Sequence, residues 1–269
     1  MTSILTNNGA MVALQTLKTV NNSLEDTQNQ ISTGKEVGMA KDNSAVWAIS
    51  KSMESDIQAY EAVNDALNFG EATVAVASSG MEQIVETLKE MRELVVSGVS
   101  QNVSHDQIQA NLVTKQDQIE SIIDSASFNG ANLLDDAVTT QLDVLGGLDP
   151  ANDVITVSAI DSANSLNASG ITALTSTNAA NVLDEIDDML AFAIDTAATF
   201  GSASNRLEGQ SDFVSKLTDS LKSGVSTMTD TNMEEASARL KALQTQQQLA
   251  VQSLTIANQS PSTLQQLFQ

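Results

Sequence analysis

The chain's one histidine, His105, lies beside Asp106, and an imidazole next to a carboxylate is a pair suited to moving protons. A base or a metal ligand needs further partners. With no cysteine and no second histidine in 269 residues, neither a thiolate site nor an H-E-x-x-H zinc site can be assembled. His105 therefore reads as a solvent-facing residue at a helix start. Carboxylates gather at Asp184, Glu185, Asp187 and Asp188, and again at Asp135 and Asp136. Without a D-x-D-x-D-G loop they read as charges favoured by a helix N-terminus and a turn, not as a calcium site. Gly146-Gly147 has neither a following lysine nor a helix behind it, so it is a turn rather than a phosphate cradle. The expectation is a protein with no catalytic residues, no metal and no cofactor.

What must these residues decorate? Apolar residues make up 41% of the chain but aromatics only 3%, which suits long helices packed side by side better than a globular core. Stepping by threes and fours from Val46 reaches Ile49, Met53, Asp56, Tyr60, Val63, Leu67, Gly70, Val74, Ala77, Met81, Ile84, Leu88, Met91 and Val95. Only Asp56 and Gly70 break that seam, with Ile57 expected to replace Asp56 locally while the carboxylate turns outward. Such a helix would be about 75 Å long and would stop at Ser97-Gly98, Gly98 supplying a left-handed cap. A shorter stripe runs Ile108, Leu112, Ile119, Ile122, Ala126. A third runs from Leu183 through Ile186, Leu190, Phe200, Leu207, Val214, Leu221 and Val225 to Met228. Three singly striped helices can bury their stripes only against one another.

Between 138 and 180 the helical period gives way to alternation, at Leu142 and Val144 and again at Ile155 and Val157, with a turn at 149–153. A β-hairpin is expected there, followed by a Ser/Thr-rich loop. The two ends mirror each other. Ala10, Leu14, Leu17, Asn21, Leu24, Gln28 and Ile31 form one run, broken by Gly34 and Gly38. Ala236, Leu240, Leu243, Gln247, Ala250, Leu254 and Ala257 form the other, stopping before Pro261. Thr231 to Glu234 has the form of a capping box and marks a fresh helix start. The fold class is thus mainly α: a long antiparallel coiled-coil bundle with a small β-hairpin in the middle and paired terminal helices.

Charge divides the chain in the same way. The formal charge of −22 excludes a basic surface for nucleic acid or anionic membrane. Residues 46–229 carry −20 of it, while each end carries −1, so copies can pack at their ends with little repulsion. Seams containing Asn21, Gln28 and Gln247 bury too little to order two isolated helices, so the ends are expected to order on association. The candidate assembly residues are Leu14, Leu17, Leu24, Ile31, Leu240, Leu243, Leu254, Leu264 and Leu267. The seam inside the body rests on Met53, Tyr60, Leu67, Met81, Leu88, Leu190, Leu207 and Leu221. The start, MTSILTNNGAMVALQTLK, lacks the basic region, apolar core and cleavage site of a secretory signal, and no run is long enough to span a membrane.

Several of these segments resemble bacterial flagellins. Ile31-Ser32-Thr33-Gly34-Lys35 and Ala40-Lys41-Asp42-Asn43-Ser44-Ala45 are similar to that family's N-terminal signature. Leu88 to Leu94 resembles its L-x-x-x-R-E-L segment, and Phe128-Asn129-Gly130 with Leu133-Leu134 its F-N-G-x-x-L-L motif. Gly201 to Leu207 resembles the G-x-x-x-N-R motif, and the tail from Glu235-Ala236 to Leu264 and Leu267 the family's C-terminus. The likeness covers about 1–135 and 181–269 and looks like the short, core-only flagellins of Alphaproteobacteria. It implies a non-enzymatic filament subunit secreted to the cell exterior through the flagellar type III apparatus. Its partners would be other copies of itself, an export chaperone, a filament cap and hook-associated proteins.

It also implies a filament-core domain of 1–42 with 230–269 and an outer rod of 43–229. A Toll-like receptor 5 surface would include Glu90, Arg92, Glu93, Leu94 and Asn111, altered here because recognised flagellins carry Arg at the first position and an acidic residue at the last. A hook-associated junction protein is the near alternative, and a signalling coiled coil a more distant one.

Overall fold

The computed structural model describes residues 7–100, 104–166, 171–175 and 177–267, with side chains to 259. Its order is α1 (Asn8–Thr33), α2 (Ser44–Gly98), α3 (His105–Ser125), β1 (Ser127–Phe128), β2 (Ala131–Asn132), β3 (Gln141–Leu145), β4 (Val154–Ser158), α4 (Ser162–Ser165), α5 (Ala179–Thr229) and α6 (Met233–Leu267). The fold is mainly α, as expected. By internal contact the chain forms two units. One holds the described residues up to Asp56 with those from Ser220, and the other is Ile57–Asp219.

The Ile57–Asp219 unit is built on the predicted stripes. From Val63 to Val95 every seam position of α2 is buried, including Leu67, Met81 and Leu88. Leu112 and Ile119 of α3 and Ile186, Phe200, Leu207 and Val214 of α5 join them in one core, with Tyr60 and Leu190 half-buried against it. Ile57 is buried where the seam met Asp56, which is itself half-buried rather than turned outward.

Gly70, the other break in the stripe, has a structural reason. A Cβ there would lie 2.5 Å from Cγ2 of Val144, so the missing side chain lets the β3–β4 hairpin sit against α2. The hairpin pairs Val144 with Ile155 and Leu142 with Val157, and Gln210 of α5 donates to the Gly146 carbonyl at 2.6 Å. The expected hairpin is therefore present.

Phe128-Asn129-Gly130, past the end of α3, forms a tight hairpin turn. Asn129 (φ 50°) and Gly130 (φ 85°) both take positive φ, the requirement of a two-residue type I′ turn, and close the β1–β2 hairpin. Behind it Asn132 is buried, donating to the Ile123 carbonyl at 2.7 Å and accepting from the Leu134 amide at 2.9 Å. Gly98 ends α2 without positive φ, which corrects the expected left-handed cap. A Cβ there would lie 2.9 Å from Leu174, so Gly98 serves close packing.

The other unit is an antiparallel pairing of α1 and α6, tied at both ends and in the middle. Asn7 bonds Ala257, Gln247 Nε2 donates to Asn21 Oδ1 at 2.8 Å, and the Thr231 amide donates to the Gly34 carbonyl at 2.9 Å. Gly34 takes φ 71° as the left-handed cap of α1. The cap opening α6 is Asn232, not Thr231. Its Oδ1 accepts from the amides of Glu234 and Glu235, while the Thr231 hydroxyl is buried without a partner. Nor does α6 stop before Pro261; it runs on to Leu267.

Candidate assembly surface

His105 is half-buried, not solvent-facing, and its Nε2 lies 2.9 Å from the Gly98 carbonyl, so the ring ties the start of α3 to the end of α2. The acidic cluster of α5 begins five residues inside the helix, past its N-terminal turn. Glu185 accepts from the Thr172 hydroxyl at 2.9 Å and Asp187 from Arg92 Nε at 2.5 Å, so specific partners replace the expected dipole interaction. That pairing holds the Arg92 guanidinium more firmly protonated than usual. Among the described residues no group of three or more His, Asp or Glu converges as a metal site.

On the α1–α6 pair the stripe that faces inward is shifted from the expected one. Val20 and Thr27 are buried and Ala10, Ala13, Leu17, Leu24 and Ile31 half-buried, whereas Leu14, Asn21 and Gln28 face out. The step from Ala10 goes to Ala13 rather than Leu14. Small residues on both helices (Ala13, Ala236, Ala250, Ala257) let the backbones approach, and the Thr27 hydroxyl is satisfied by the Ser23 carbonyl at 2.8 Å. On α6 the expected set holds. Ala236 and Ala250 are buried, and Leu240, Leu243, Gln247, Leu254 and Ala257 are half-buried. The side chains of Leu264 and Leu267 lie outside the described residues.

Displacing Leu14 from the inner stripe has a consequence. Met11 (66%), Val12 (64%) and Leu14 (59%) are exposed on α1, and Leu249 (60%), Val251 (49%) and Ile256 (64%) on α6. Counted in heptads from the inner stripe, Met11, Leu14 and Val251 fall on one flank of the pair, and Val12, Leu249 and Ile256 on the other. All six lie at one level, because Asn7 meets Ala257 and Asn21 meets Gln247. Lys18 is the only charge in residues 7–24, and 242–259 contain none. The pair thus wears an uncharged apolar girdle on both sides, a feature expected of a surface that meets other chains.

The connection between α1 and α2 is held against the α5–α6 junction. Amides of Glu36 and Val37 donate to the Thr229 carbonyl at 2.7 and 3.3 Å, and the backbones of Lys35 and Asp230 form an isolated antiparallel β-bridge. Asp42 accepts from the Gly38 and Met39 amides, and Asn43 caps α2 through the Val46 amide. Glu54 meets Lys51 at 2.5 Å and Lys35 at 3.6 Å, and the bond from Lys51 holds its carboxyl below the usual range.

Known proteins resemble this sequence along its length. Residues 4–139 match the model of the bacterial flagellin N-terminal helical region, and 183–268 that of the C-terminal helical region. The chain belongs to the bacterial flagellin family. It is 37% identical to flagellin FljO of Caulobacter vibrioides, with 100% of this chain and 99% of that one covered. It is 38% identical to a flagellin of Brucella melitensis, again over 100% and 99% of the two chains. Flagellin C of Rhizobium meliloti is 34% identical over the full length of both. A crystal structure of Bacillus cereus flagellin shares the fold, with a TM-score of 0.50 at 24% identity over 54% of this flagellin and 86% of that chain. As a flagellin, the chain is a structural subunit of the flagellar filament.

Of the family-like surface, Arg92 is engaged by Asp187 and Glu90 by Lys115 at 2.5 Å, while Glu93 and Asn111 are exposed and Leu94 half-buried. Sequence reasoning missed Met11, Val12, Leu249, Val251 and Ile256. The signal was available: large apolar residues left over once the inner stripe is assigned.

Proposed function

We propose that the α1–α6 pair is the polymerisation element of this flagellin, wedged between the same pairs of neighbouring copies to build the core of a tubular filament outside the cell. The observation that carries this reading is the girdle. A two-fold dimer would cover one flank and leave the other wet, whereas a subunit with apolar residues on both flanks suits head-to-tail contacts that repeat without closing on a pair. The nearly uncharged tips let copies of a very acidic chain come together there. In the same reading 1–42 with 230–269 form the filament-core domain and 43–229 the outward body. The chain performs no catalysis. It leaves the cell through the flagellar export apparatus and works with an export chaperone, a filament cap and hook-associated proteins.

The test is direct. Concentrated full-length protein is expected to form tubes visible by electron microscopy, and a chain lacking its last dozen residues is expected to stay a helical, soluble monomer. Filaments from the truncated chain, or none from the intact one, would overturn the proposal. Arg92 and Glu90 are occupied within the chain, which supports weak activation of Toll-like receptor 5; robust signalling by purified monomer would contradict that.

A further inference from the structure

We propose that Asn7 is a positioning residue that fills the gap left in α6 by Pro261, and that this bond sets the level at which α1 meets α6. Proline has no amide hydrogen, so inside a helix the carbonyl four residues earlier loses its partner. In α6 that carbonyl belongs to Ala257, because α6 continues through Pro261 to Leu267. The Asn7 Nδ2 donates to the Ala257 carbonyl at 2.7 Å. Its Oδ1 meanwhile accepts from the Ala10 amide at 3.1 Å and caps α1. The asparagine amide performs both duties, its oxygen accepting at the cap while its nitrogen donates, whereas an aspartate can cap a helix but has nothing to donate to a carbonyl. The approach is close as well as polar, since a Cβ on Gly9 would lie 3.9 Å from Cβ of Ala257.

A proline that would ordinarily weaken α6 therefore creates an acceptor at one chosen turn, and α1 can satisfy it in one register only. That register places Met11, Val12 and Leu14 level with Leu249, Val251 and Ile256. The bond rests on the geometry of the pair alone. Its importance for assembly rests on the proposed function.

The chain has no cysteine, so a Gly9→Cys, Ala257→Cys variant provides a clean reporter, with its Cβ separation inside the range that a disulfide spans. The intramolecular disulfide is formed under mild oxidation in sedimented polymer and its rate is read. If nothing sediments, the proposed function fails, and the same rate is read on the soluble chain. Asn7→Asp, which keeps the cap and loses the donor, is expected to slow closure about fivefold, the worth of one neutral hydrogen bond. In a Pro261→Ala background the Ala257 carbonyl regains a helical partner, and Asn7→Asp is expected to change the rate less than about twofold. Normal closure in Asn7→Asp, or the same slowing in both backgrounds, would overturn the proposal.

Discussion

Two sets of heptads in this chain do different things with the same pattern. In α2, between Val63 and Val95, every seam position is buried, and the exposed faces are dominated by polar residues. In α1 the inner stripe has only Val20 and Thr27 fully buried, while Met11, Val12 and Leu14 stand in solvent. The seam of the first set closes within one molecule, three stripes covering one another and the hairpin filling the break at Gly70, with Phe69, Ile194 and Phe213 exposed singly off the seam. The second is half-closed, with small residues turned inward and large ones turned outward. Apolar residues on a helix identify where it will be buried, but their distribution over its faces indicates whether the partner lies in the same chain.

The contrast is broken most severely by putting a charge into each set. Leu88→Asp buries an unpaired carboxylate among fully enclosed residues, which costs more than about 5 kcal/mol and is expected to unfold the Ile57–Asp219 unit. Circular dichroism of the soluble chain would show loss of most helical signal. Leu14→Asp with Ile256→Asp places charges on both flanks of the girdle, where water reaches them. Helicity and melting of the soluble chain should stay within about 0.5 kcal/mol of the parent, as for surface changes generally, while pelletable polymer disappears. If Leu14→Asp, Ile256→Asp still polymerises, or unfolds as Leu88→Asp does, the two sets are not different in kind.

The sequence made the first set legible almost residue by residue, because a long seam averages out local exceptions. Its two exceptions also had meanings: Gly70 is a docking notch for Val144, and Asp56 yields its place to Ile57. The second set departs from the expected stripe at every other position of α1, where Ala13, Val20 and Thr27 turn inward in place of Leu14, Asn21 and Gln28. Choosing Leu14 over Ala13 after Ala10 follows hydrophobicity, but two helices approaching closely favour alanine and a self-satisfied threonine, and the larger residue is left facing out. Asn129-Gly130 was likewise legible as a hairpin turn, yet its two-residue strands are too short to show alternation. The partner of the Ala257 carbonyl was not readable at all, since Asn7 and Ala257 are 250 positions apart.

A smaller effect tests the notch in α2. Gly70→Ala gains about 1 kcal/mol of helix propensity but drives its methyl to 2.5 Å from Cγ2 of Val144, and overpacking of that kind costs about 1–3 kcal/mol. The expected net is a loss near 1 kcal/mol in urea unfolding. Removing the obstruction reverses the sign: in a Val144→Ala background, Gly70→Ala should stabilise by about 1 kcal/mol. Equal effects in both backgrounds would mean that the hairpin does not rest on Gly70, and that this seam has an unexplained gap.

The smallest expected effect concerns the one place where the closed set is itself imperfect. Gln116 of α3 is buried, and its Nε2 has no hydrogen-bond partner. An amide nitrogen stripped of water without compensation costs about 1–3 kcal/mol, whereas methionine has nearly the same length and no donor to satisfy. Gln116→Met is therefore expected to raise the unfolding free energy of the Ile57–Asp219 unit by about 1 kcal/mol, seen as a shift of the urea midpoint at constant slope. The change should leave polymerisation unaltered, because it lies in the set that closes on itself. A loss of stability would show that the side chain is satisfied in solution, and a change in polymerisation would show that the closed and open sets are coupled through α3.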